Sequence, residues 1–79
     1  MMSSDKQYII VCIHNPEQFH IHDNVFNIDA IVFVKDQASK YSFEDGCQKV
    51  HDLNAPLKKP FYGLIKYAHA KVTYIKKNV

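Results

Sequence analysis

His20 and His22 are the first candidates for chemistry, because on a strand both imidazoles of an HxH project from one face, a spacing that metal sites use. His14 or Asp23 is close enough in sequence to act as a third ligand. The alternative is an exposed strand edge whose polar face holds histidines. A lone HxH defines no metal, and none is assigned; nor is any other cofactor. His51 and His69 have no partner at ligand spacing and read as surface residues.

Nucleophilic catalysis would draw on Ser3, Ser4, Ser39, Ser42, Cys12 and Cys47. None of these lies in a nucleophile elbow or another motif with a mechanical role. Glu44 and Asp45 are adjacent, so on a helix they point apart and do not form an acid–base pair over one substrate. The only glycines are Gly46 and Gly63, which excludes P-loop and dinucleotide fingerprints. The expectation is a non-catalytic protein.

Charge is distributed unevenly. All eight acids lie in residues 1–52 against four lysines, and the last of them is Asp52. The remainder carries Lys58, Lys59, Lys66, Lys71, Lys76 and Lys77 with no carboxylate, interleaved with Phe61, Tyr62, Tyr67 and Tyr74. A net charge of +2 therefore conceals a C-terminal part that attracts anionic surfaces. The contact residues expected are Tyr62, Lys66, Tyr67, Lys71, Tyr74 and Lys76, each as a lysine charge or an aromatic anchor. The partner expected is another protein with an acidic patch, steered to the lysines. Nucleic acid is the alternative, with lysines on phosphates and rings on bases, bound without sequence preference. The chain has ten lysines and no arginine, so it lacks the bidentate group that commonly reads guanine. It matches no RNP1 pattern, KH loop or zinc-finger spacing.

Seventy-nine residues allow one domain, and 47% hydrophobic content is that of a folded chain. Residues 1–6 are expected to be disordered and residues 7–79 to form a single domain. The polar start is too short for a signal peptide, and no apolar run approaches the roughly 18 residues that span a bilayer. A cytoplasmic protein with no membrane partner is expected, and in that reducing setting Cys12 and Cys47 are two free core thiols.

The elements that must position these residues follow from periodicity. Tyr8-Ile9-Ile10-Val11-Cys12-Ile13 is a continuous apolar run closed by His14-Asn15-Pro16, and it reads as a central strand. Over 19–35 the pattern alternates, with Phe26, Ile28, Ala30, Val32 and Val34 expected on the core face. Phe19-His20-Ile21-His22 reads as a short strand turning through Asp23-Asn24, and 36–41 as a connection. Ser42 with Asp45 forms a capping-box signature that opens a helix over about 42–54, stopped at Asn54-Ala55-Pro56. Phe43, Gly46, Cys47, Val50 and Leu53 form its stripe, with Gly46 expected where helix and sheet approach closely. Residues 60–67 read as a short helix or turn, and 68–76 as a last strand.

The fold class expected is α+β: a small single-layer antiparallel sheet of three or four strands, β-β-α-β, with one main helix on one face. Tyr8, Ile10, Cys12, Ile31 and Phe33 would then occupy a second face that the tail, a partner or a second copy in a homodimer must cover. The arginine-free composition and compact plan are similar to those of short viral accessory proteins, and the similarity implies binding of a host component. The function expected is that of an inhibitor, adaptor or accessory protein occupying a partner's surface.

Overall fold

The computed structural model describes residues 6–70, and its elements begin with the apolar run at β1 (Tyr8–Cys12). β2 (Asn15–Asp23), β3 (Ile28–Val32), a helix α1 (Phe43–Asn54) and β4 (Tyr62–Lys66) follow. Single 3₁₀ turns occupy Lys35–Gln37 and Tyr67–His69. The four strands form one antiparallel sheet in the order β3-β2-β1-β4, with α1 packed on it. This is the α+β plan read from the sequence, with the segment around Phe19 completing a fourth strand. No helix among the described residues is long and apolar enough to cross a membrane.

β1 is central because both its faces are apolar. Ile9, Ile10 and Cys12 are fully buried and Val11 nearly so. β1 turns into β2 through Ile13 and His14, and between the pairs Val11 with Phe19 and Cys12 with Asn15 the ladder is irregular. Pro16 lies in that bulge, where a missing amide breaks no ladder bond.

At their other ends β1 and β2 diverge, and residues 39–41 are wedged between them. Tyr8 and Tyr41 exchange both backbone hydrogen bonds, at 2.9 and 2.7 Å. On the other side the Ser39 amide donates to the His20 carbonyl at 3.2 Å, and Ser39 Oγ accepts the His22 amide at 2.8 Å. Polar backbone that would otherwise be buried unpaired is thereby satisfied.

α1 begins as its sequence directs, Ser42 Oγ accepting the Asp45 amide at 3.2 Å. It covers the face bearing Tyr8, Ile10 and Leu64. A Cβ on Gly46 would lie 2.5 Å from Leu64 Cδ1, so the expected close approach of helix to sheet is present. Phe43 packs edge-on against Tyr8, 5.4 Å between ring centroids. Cys47, expected in the core, is exposed on the outer side of the helix; only Cys12 is a buried thiol.

The opposite face carries Ile9, Val11 and Phe19, with Val32, Ile65 and Tyr67 against them. Buried Ala38 and Ala70, beside the two 3₁₀ turns, close it. The helix therefore takes the Tyr8, Ile10 and Cys12 side, for which the tail, a partner or a second copy is the expected cover, and short connecting segments cover the other.

Two expectations are corrected. Residues 62–66 form a strand and not a helix or turn. All five residues of β1 pair with β4, Tyr8 with Lys66 through Cys12 with Tyr62, and the free edge of the central strand outweighs the local helical spacing. On β3 only Val32 packs on the core; Phe26 and Ile28 are exposed, because β3 is the outermost strand and no covering segment reaches its hairpin end. Of the expected last strand, Ala68 and His69 lie in the 3₁₀ turn, and 71–76 fall outside the described residues.

Candidate functional site

Asp29 is the hub of the polar side chains beneath α1. His20 pairs with Ile31 and His22 with Asp29 across β2 and β3, so both histidines share the helix-facing side with that carboxylate. His20 Nε2 lies 2.8 Å, His22 Nδ1 2.9 Å and Lys49 Nζ 3.1 Å from the same oxygen, Asp29 Oδ1. Asn27, held at φ 54° in the β2–β3 turn, puts its Oδ1 3.1 Å from His22 Nε2. One carboxylate thus joins β2, β3 and α1.

The electrostatics follow from burial and partners. Burial works against the Asp29 charge, but hydrogen bonds from His20, His22 and Lys49 outweigh it and hold the carboxyl well below the usual carboxylate range. The His20 side chain is fully buried, and that burial lowers its pKa against the pull of Asp29, so the ring is neutral at pH 7. A neutral ring donating from Nε2 to Asp29 has Nδ1 as an acceptor, and the Tyr41 hydroxyl lies 3.4 Å from it.

Hydroxyl, imidazole and carboxylate in series is the order of a nucleophile, its base and the group that orients the base. Burial raises the Tyr41 hydroxyl pKa while it lowers that of His20. The same geometry satisfies a buried histidine and locks the helix to the sheet edge. Beside the hub is an open polar cleft of about 540 Å³ whose lining includes Lys6, His22, Ser39, Tyr41 and Lys49. Among the described residues no group of three His, Cys, Asp or Glu side chains is arranged to hold a metal ion.

A second site lies where α1 gives way to β4. Asn54 organises it: its Oδ1 accepts the amides of Phe61 and Tyr62, each at 3.0 Å, and its Nδ2 donates to the Tyr62 carbonyl at 3.1 Å. The loop so clamped presents a cleft of about 620 Å³ lined by Leu57, Lys58, Lys59, Phe61 and Tyr62. Phe61 and Tyr62 meet edge to face, 4.9 Å between centroids. Tyr62 also meets His20 edge-on at 6.2 Å, and burial raises its hydroxyl pKa.

The contact residues expected from sequence are therefore separated. Tyr62 belongs to this cleft, together with Lys58 and Lys59. Lys66 is exposed at the far end of β4, beside Tyr8. Tyr67 packs on the other face, with Lys35 and Lys40 at 4.6 and 4.7 Å from its ring centroid and its hydroxyl donating to Asp36. Lys71, Tyr74 and Lys76 lie outside the described residues. The role of Asp29 was not visible in the sequence, because it depends on the register between β2 and β3. The cleft had a signal: Leu57 and Phe61 enclose two lysines and Pro60.

No protein-family model matches the chain, no curated protein matches it, and no solved structure matches it.

Proposed function

We propose that this chain is a small non-catalytic binding protein that occupies a surface of a partner protein, and that the cleft at 57–62 receives an acidic, amphipathic segment of that partner. The observation that carries this reading is an apolar floor of Leu57, Phe61 and Tyr62 bordered by Lys58 and Lys59. A concave apolar seat takes one large side chain, worth about 1.5–3 kcal/mol when fully buried. Adjacent ammonium groups select for carboxylates beside that side chain and raise the association rate. The Asn54 clamp fixes the loop before binding, which reduces the ordering cost.

The test is an amide-resolved NMR titration of the full chain with a short peptide bearing one phenylalanine flanked by aspartates. A matched peptide with lysines in place of the aspartates is the control. Shifts confined to 57–62 with the acidic peptide, lost in the Lys58→Glu, Lys59→Glu double variant, support the reading. Equal shifts with both peptides, or none, overturn it. Oligonucleotide binding that fades steeply with salt, with no response to the acidic peptide, would transfer the function to nucleic acid.

A further inference from the structure

Among the described residues the outer edge of β3 has backbone groups without a strand partner, and their direction can be derived. The His20 carbonyl and the His22 amide both bond to Ser39, so these residues aim their backbone groups away from β3. In an antiparallel ladder the residues opposite them, Ile31 and Asp29, must then aim theirs away from β2, toward the open edge. Among the described residues no strand pairs with that edge.

β3 is short, but it carries few of the other devices that blunt an edge. Its sequence, Ile-Asp-Ala-Ile-Val, has no lysine, no proline and no bulge. Its one charge, on Asp29, is already engaged by hydrogen bonds from His20 and His22 and by the Lys49 ammonium. Large apolar side chains crowd the strand and its ends: Val25 is 84% exposed, Phe26 72%, Ile28 53% and Phe33 57%.

We infer that two copies of this chain pair antiparallel through β3, on a two-fold axis at Ala30, to give one continuous sheet. The register is self-complementary. Each Asp29 exchanges both backbone hydrogen bonds with Ile31 of the other copy, using the outward groups identified above. Ala30 then faces Ala30 in the close, non-hydrogen-bonded position, where a small side chain permits strand approach. Ile28 meets Val32 of the other copy on the same face. Each exposed Phe26 is brought toward the Phe33 end of the other strand, so the patch covers itself as a closed, isologous contact.

Light scattering and sedimentation on the full chain test this across a wide concentration range. The expected mass is twice 9.2 kDa at high concentration, falling toward 9.2 kDa on dilution. Ala30→Lys, at an exposed site, should give a monomer with an unchanged circular dichroism spectrum. The register has its own test in a Cys47→Ser background. Ala30→Cys should form a disulfide-linked dimer on mild oxidation, since the facing Cα atoms would be about 4.5 Å apart. Ile28→Cys should not. A mass of 9.2 kDa at every concentration overturns the inference, as does a dimer that survives Ala30→Lys or one crosslinked through Ile28→Cys and not Ala30→Cys.

Discussion

His20 Nε2 and Asp29 Oδ1 are 2.8 Å apart, and that hydrogen bond joins a fully buried imidazole on β2 to a partly exposed carboxylate on the edge strand β3. Lys49 reaches the same oxygen from α1. Hairpin and helix are thus held at one atom, and loss of that atom should loosen both.

Asp29→Ala removes the acceptor for three donors at once. Hydrogen bonds to a charged group contribute about 1.5–3 kcal/mol each when buried, and solvent reaches this carboxylate, so a loss of about 2 kcal/mol in all is expected. Urea denaturation reads it directly. Asp29→Asn, which keeps an acceptor oxygen, should lose less. Equal stability of Asp29→Ala and the parent would show that the hub contributes nothing to the fold.

Acid should destabilise the protein in two windows. His20 is lowered from 6.5 by burial, so below that value the unfolded chain takes up a proton that the folded chain refuses, and stability falls as pH falls. Asp29 is lowered from 3.8, so its contribution is complete above that value and is lost as pH drops further. Melting temperature followed from pH 7 downward should decline through both windows. His20→Gln should remove the upper one and leave the lower.

Gly46→Ala sets local preference against packing. Alanine gains about 1 kcal/mol of helix propensity over glycine. Its methyl would lie 2.5 Å from Leu64 Cδ1 and 3.3 Å from Tyr41 Cβ, so the helix must move off the sheet or Leu64 must turn. Overpacking costs about 1–3 kcal/mol, so after that gain a net loss of about 0–2 kcal/mol is expected. In a Leu64→Ala background the same substitution should become neutral or stabilising. Additivity of the two changes would show that the contact is not the cause.

The two thiols should be separable by rate. Cys47 is exposed, whereas Cys12 is fully buried and its pKa is raised by that burial. A thiol reagent should modify Cys47 promptly and Cys12 only as the fold opens. Mass spectrometry of the partly labelled protein identifies the site, and Cys12 labelled first would contradict the buried core strand.

What the chain determined by itself was local. Ser42 caps a helix because its hydroxyl serves an amide three residues away, and β1 is central because six consecutive apolar residues need cover on both sides. Gly46 was legible as a contact point for the same reason: its place on the apolar stripe needs no knowledge of the partner element. The register between β2 and β3 is different, since it couples residues seven and nine positions apart through a turn, and only that pairing turns a bare HxH into ligands of Asp29.

β4 is the clearest case of tertiary choice. Phe61, Leu64, Ile65 and Ala68 follow a helical spacing, yet the open side of β1 offered five residues of ladder and Asn54 held the amides at its start. Propensity differences of a few tenths of a kcal/mol per residue cannot compete with burial against a central strand. The charge and ring content after Asp52 was fully visible in the sequence. Which of those side chains share a surface was decided by the pleat, which turns Tyr62 toward the helix side and leaves Tyr67 on the opposite face.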